Sequence, residues 1–94
     1  MSISREASET LGLQALTWLV GNDDLLHVFL GASGASVDDL KTQAGNSDFL
    51  VSVLDFLTMD DAWVMAFCDE TGRAYTDPMI AAQVLGGTSK THWT

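Results

Sequence analysis

Two histidines, one cysteine and thirteen carboxylates make up the titratable groups of this 94-residue chain that could serve acid–base, nucleophilic or metal chemistry. Their spacing argues against each use. His27 is flanked by Leu26 and Val28 and His92 lies near the C-terminus, and there is no histidine pair at helical spacing, no second cysteine and no Glu-x-x-His motif. A transition-metal site needs several such ligands converging, so none is expected. His27 is expected to be hydrogen-bonded or solvent-facing. The pairs Asp23-Asp24 and Asp60-Asp61 could hold Mg²⁺ or Ca²⁺ between carboxylates. Both pairs, however, open a helical pattern, where an acid caps free backbone N–H groups. Gly31-Ala32-Ser33-Gly34-Ala35-Ser36 leads into a helix as phosphate-binding loops do, but lacks the Gly-Lys-Ser/Thr ending and a preceding strand. Ser33, Ser47 and Ser52 have no surroundings resembling a nucleophile elbow. Cys68 cannot form an internal disulfide and lies in an apolar stretch that disfavours a thiolate, so a buried structural role is expected. No catalytic residue, metal ligand or cofactor is therefore assigned.

The carboxylates pose a second question, because thirteen acids against four bases leave a formal charge of −9. Such a surface repels the phosphate backbone and anionic membranes, so neither nucleic acid nor membrane is expected as a partner. DNA mimicry or docking of a basic protein would require the acids to form a face. Nine of them instead fall in first turns of predicted helices: Glu6, Asp23, Asp24, Asp38, Asp39, Asp48, Asp60, Asp61 and Asp77. There they complement the helix dipole at about 0.3 to 1 kcal/mol each. Glu9, Asp55, Asp69 and Glu70 are left over.

The elements that must position these groups follow from the chain's punctuation. A first helix runs from about Ser4 to Val20, with Leu13, Leu16 and Val20 on one stripe and Leu11, Ala15, Trp18 and Leu19 beside it. Gly21 ends it, and Asn22 is placed to cap a second helix from Asp23 to about Ala32, which Gly34 stops. Ser36 caps a short third helix reaching about Ala44, with Asp39 in the capping-box position. Ser47 caps a fourth, Asp48 to Thr58, and Asp60 a fifth that ends before Gly72. Asp77-Pro78 opens the sixth, and Gly86-Gly87 closes it. No run of β-branched residues alternates with polar ones over a useful length. The expected fold is all-α, a compact bundle of about six short helices in one domain, residues 1–87, followed by a flexible polar tail, residues 88–94. The chain's 47% apolar content excludes a solvated disordered polymer, while no apolar run approaches the length of a membrane span. No signal-peptide stretch precedes Gly12, which leads to the expectation of an unprocessed cytoplasmic protein.

Laid on itself with an offset of 38 residues, the chain matches Leu16, Leu19, Asp23, Phe29, Gly34 and Asp39 to Leu54, Leu57, Asp61, Phe67, Gly72 and Asp77. Trp18 falls on Phe56 and Leu26 on Val64. Two readings stay open: a duplicated three-helix unit, or two amphipathic hairpins alike only because acidic caps and glycine stops make them so. Either way, two three-helix units are expected to share one core.

Apolar residues exceed what a single bundle can hide. The stretches Phe49 to Leu57 and Ala62 to Cys68 are apolar nearly all round, and Leu25 to Leu30 leaves only His27 polar. A surface helix needs an apolar arc of little more than about 100°. These three helices are therefore expected to be central or to be covered by another molecule. The interface candidates are Leu25, Val28, Phe56, Trp63, Phe67 and Trp93, while Trp18 is expected in the core.

Leu11-Gly-Leu-Gln-Ala-Leu-Thr-Trp-Leu19, Phe49-Leu-Val-Ser-Val-Leu-Asp-Phe-Leu57, Asp60-Asp61 and Phe67-Cys68, in that order, resemble a family of short bacterial proteins catalogued as a domain of unknown function. The likeness spans about Leu11 to Leu85 and implies an all-α fold and a bacterial cytosolic origin, with no activity, cofactor or site residue to transfer. The functional expectation is a non-enzymatic protein–protein interaction module whose partner is itself, as a homodimer, or another protein. One alternative is an acidic regulator capturing a basic or amphipathic segment of another protein. A weaker one is a small-molecule pocket or enzyme between the helices.

Overall fold

The structure, a computed structural model, describes residues 3–86. They form α1 (Arg5–Val20), α2 (Asp23–Ser33), α3 (Val37–Thr42), α4 (Ser47–Leu57), α5 (Asp61–Thr71) and α6 (Asp77–Gly86), with no strand among the described residues. The expected all-α bundle of six short helices is the observed one. The tail, with His92 and the interface candidate Trp93, lies outside the described residues.

Local chemistry explains most of the boundaries. Ser4 accepts from the Ala7 N–H, Asp60 accepts from the Ala62 N–H, and Ser36 and Asp39 complete the reciprocal capping box. All eight acids expected inside first turns are there, and Asp60 is itself a cap. Gly34 and Gly72 end α2 and α5 in the left-handed region, at φ 75° and 72°, where a side chain is strained. Two caps differ from expectation. Asn22 makes no side-chain cap bond; its Nδ2 donates back to the Trp18 carbonyl at 2.8 Å. Asn46, not Ser47, caps α4 by accepting from the Asp48 N–H, which frees the Ser47 hydroxyl to donate to Glu9 at 3.3 Å.

One continuous cluster of buried side chains draws on every helix. α1, α4 and α6 are its closely packed centre, and α2 lies against α1 and α4. Small side chains make this approach possible: Ser8, Gly12 and Ala15, at helical spacing on α1, are buried, as are Ala81 and Ala82 on α6. A Cβ added at Gly12 would lie 3.1 Å from the Leu50 Cβ, so α1 and α4 touch almost backbone to side chain at that point.

The 38-residue similarity has a three-dimensional counterpart. α2 and α5 are each 11 residues long, start 38 residues apart and end in the same left-handed glycine. Positions 38 apart also meet each other: Gly12 against Leu50, and Glu9 bonded to Ser47. Aromatic contacts are reciprocal. Trp18 on α1 meets Phe67 on α5 edge-on with centroids 6.0 Å apart, and their counterparts Phe56 on α4 and Phe29 on α2 meet edge-on at 5.3 Å. Residue i of one unit touching residue j of the other, and j touching i, is the pattern of a two-fold contact. Gly12 and Leu50, equivalent positions in direct contact, set α1 against α4 at the centre of that pattern.

Candidate functional site

Packing decides first what is unavailable for function. Phe67 is fully buried and Phe56 is 7% exposed, so these two interface candidates belong to the core. The reason is the reciprocal exchange of aromatics: each unit pushes a phenylalanine into the other, and Phe56 is further covered by Trp63 in a stacked pair 4.9 Å apart. α4, expected to be central or covered by another molecule, is the most enclosed helix, with Leu50, Val53, Leu54, Phe56 and Leu57 all buried. Leu25 and Trp63 are half-buried, and Val28 is exposed.

Apolar surface appears where periodicity did not place it. Leu13 and Val20, predicted on one stripe of α1 with Leu16, are 43% and 46% exposed while Leu16 is buried, because the small-residue side of that helix, Ser8 to Ala15, is the one drawn inward. Leu13, Thr17 and Val20 stand at i, i+4 and i+7, a straight apolar stripe on the outward side. Grooves flank it on both shoulders. Between α1 and α5 a cavity of about 490 Å³ is lined by Thr10, Leu13, Gln14, Thr17, Trp18 and Glu70, among others. Between α1 and α3 a smaller one is lined by Leu16, Thr17, Val20, Val37, Leu40 and Lys41. A signal for this face was present in the sequence: α1 carries apolar side chains at 11, 13, 15, 16, 18, 19 and 20, too many for one face to bury.

Polar groups around the first groove are already engaged. Trp18, expected in the core, is only half-buried, and its Nε1 donates to Glu70 Oε2 at 2.8 Å. Arg73 Nε donates to Gln14 Oε1 at 2.7 Å, and the Thr10, Thr17 and Thr71 hydroxyls return to carbonyls of their own helices. The exposed floor is mainly apolar, the Leu13 side chain and the face of the Trp18 indole, with the Glu70 carboxylate on its rim. Such a groove is suited to receiving an apolar side chain from a polypeptide rather than to orienting a polar substrate.

The titratable groups do not converge. Among the described residues no group of three or more histidine, cysteine, aspartate or glutamate side chains could hold a metal ion. His27 is exposed on α2 and lines neither α1 groove. Cys68 is buried, its Sγ 3.4 Å from the Ala74 carbonyl, and burial pushes its thiol pKa up, with Asp77 and Asp69 adding to the shift and Arg73 opposing it. Tyr75 is exposed and donates to Asp69, a bond to the neutral phenol that raises its pKa.

A family model described as "Protein of unknown function (DUF3572)" matches residues 5–88, the whole of the six-helix assembly. The chain belongs to this family. Comparison with curated proteins finds no match, and comparison with solved structures finds none. Among the described residues of this DUF3572 member, no helix is long and apolar enough to cross a membrane. Membership agrees with the resemblance carried by Leu11–Leu19, Phe49–Leu57, Asp60-Asp61 and Phe67-Cys68, and extends it to Arg5.

Proposed function

We propose that this chain is a non-enzymatic protein–protein interaction module whose docking surface is the outward side of α1 with its two flanking grooves. The observation that carries this reading is the straight stripe of Leu13, Thr17 and Val20 left in solvent between cavities that both include Thr17. Helix-in-groove recognition uses anchors at this same i, i+4, i+7 spacing. Pairing of two copies through α1 is the form that needs no second protein. It brings a charge of −9 against itself, so it should strengthen as salt screens that repulsion.

Position-specific photo-crosslinking in the producing cells is the test. A photoreactive amino acid in place of Leu13 or Val20 should give discrete protein adducts, and one in place of Gln83, exposed on α6, should not. An adduct of twice the chain's mass identifies a second copy, and any other mass identifies a heterologous partner. Adducts absent from positions 13 and 20, or equally abundant from all three positions, would sink the reading.

A further inference from the structure

The two-fold relation within the chain supplies an internal control for the α1 surface. The α1/α5 groove has a counterpart between α4 and α2, lined by Phe29, Ala32, Ser33, Ser52, Asp55, Phe56 and Met59. These residues sit 38 positions from Phe67, Glu70, Thr71, Gln14, Thr17, Trp18 and Gly21, and all of those but Phe67 line the first groove. The two differ in shape and in where their charge stands. In the first, a half-buried indole faces the opening, Gly21 leaves its end clear, and Glu70 stands on the rim. In the second, Phe56 is buried under Trp63, Met59 replaces the glycine, and Ala32 replaces the carboxylate. Each groove carries one carboxylate, Glu70 in the first and Asp55, at the position of Thr17, in the second, so they differ in where the charge stands and in the exposed indole of the first.

Charge also frames the stripe along its length. Glu6, Leu13 and Val20 are spaced by seven, so Glu6 extends the line beyond its N-terminal end. Asp23 and Asp24 lie at its other end, lining a cavity with Gly21, Asn22 and Leu25 that adjoins the α1/α5 groove through Gly21 and Asn22. Facing the surface are therefore Glu6, Asp23, Asp24 and Glu70, opposed by Lys41 in the α3 groove and by Arg73, which is bonded to Gln14. Glu6 and Val20 are separated by about 21 Å of helix, at 1.5 Å per residue, and Asp23 and Asp24 open the next helix just beyond.

We infer that the partner is an amphipathic helix of another protein, about as long as α1, with apolar anchors at i, i+3 or i+4, and i+7, and with lysine or arginine at both ends. This rests on the interaction-module reading and names its occupant. One apolar anchor enters the groove against Trp18, a second lies along Leu13 and Val20, and the terminal cations meet Glu6 at one end and Asp23 and Asp24 at the other. Charges at the ends fix register and speed encounter, while the apolar centre holds the complex.

The probe is a synthetic helical peptide of about 17 residues with leucines at those spacings and lysines at both ends, titrated into the ¹⁵N-labelled chain. Shifts are expected in α1 amides and in the Trp18 indole N–H, with little change in the α4/α2 groove. Leu13→Glu should weaken binding at least about tenfold, as should exchanging the peptide's lysines for glutamates or raising salt well above physiological strength. Glu6→Gln with Asp24→Asn, which leaves the apolar surface intact, should produce a smaller loss. Equal binding of the glutamate peptide, shifts centred on the α4/α2 groove, or no binding at all overturns the assignment. If crosslinks from positions 13 and 20 then lead to a second copy or to an acidic partner, the interaction module survives and its cationic occupant does not.

Discussion

The two three-helix units, α1–α3 and α4–α6, begin alike and end differently. Their first two helices repeat in caps, glycine stops and reciprocal aromatics, yet the third helices part company. α6 has 10 residues, buries Pro78, Ala81, Ala82 and Leu85, and packs against both α1 and α4. α3 has 6 residues, buries only Leu40 and makes no comparably close approach to either. A homodimer of three-helix units would have to treat both third helices identically, because a two-fold interface sets the same patch against itself. A single chain escapes that restriction. It can place Gly12 opposite Leu50 on the axis, fill one side with a long small-residue helix, and leave the other side open. The open flank of α1 is the consequence of that asymmetry, and so is the docking surface proposed for it.

The Gly12–Leu50 contact carries the largest expected effect. Gly12→Leu forces a large side chain against Leu50, and Leu50→Gly empties a buried site while adding a flexible residue to α4. Gly12→Leu should cost about 1 to 3 kcal/mol and Leu50→Gly about 3 to 5 kcal/mol in chemical denaturation. Because the two positions are equivalent across the axis, the exchanged double variant restores one large and one absent side chain at the crossing. It should be more stable than the sum of the singles by about 2 kcal/mol, within the range of coupling between contacting residues. Strict additivity would mean that the crossing is not a two-fold contact.

How much of this could be read from residues alone depended on whether the signal was local. Helix limits were legible to within a few residues because Gly34, Gly72, Asp60 and the Ser36/Asp39 box act on backbone groups one turn away. Nine acids were placed correctly for the same reason. Inward direction was not legible, because α1 and α4 are apolar on more than one side and only the neighbouring helix selects among those sides. Of the stripe Leu13, Leu16 and Val20 only Leu16 is thus buried, and Phe56 and Phe67, candidates for an interface, lie in the core. Gly12 was the overlooked clue: a glycine inside a helix, flanked at helical spacing by Ser8 and Ala15, marks the side that another backbone approaches.

Gly34 and Gly72 are the most alike positions of the two units. Both have positive φ and neither would bring a new Cβ within 4 Å of another atom, so substitution by alanine meets backbone strain alone. Each Gly→Ala change should cost about 1 to 2 kcal/mol, and the two costs should agree within about 0.5 kcal/mol. A much larger loss at one site would show that its helix end also bears tertiary load.

Cys68 and its counterpart Leu30 give the smallest contrast, because only the second unit carries a titratable group at that position. Burial, together with Asp77 and Asp69, raises the thiol pKa above its ordinary value of 9.0. The folded chain therefore holds this proton at pH values where the unfolded chain has begun to release it. Stability depends on pH as the difference in protons bound, so this contribution is complete below the unfolded pKa and is lost as pH rises through the folded one. Tyr75, whose pKa is raised from 10.0 by Asp69, acts in the same direction at higher pH. Unfolding free energy measured by denaturant titration should fall as pH climbs past 9. Cys68→Ala should flatten the first part of that fall, while lowering stability at neutral pH through the cavity it leaves. Leu30→Ala should lower stability without changing the slope. An unchanged alkaline slope in Cys68→Ala would place the dependence on Tyr75, at the α5–α6 connection, and would remove Cys68 from the features that distinguish the two units.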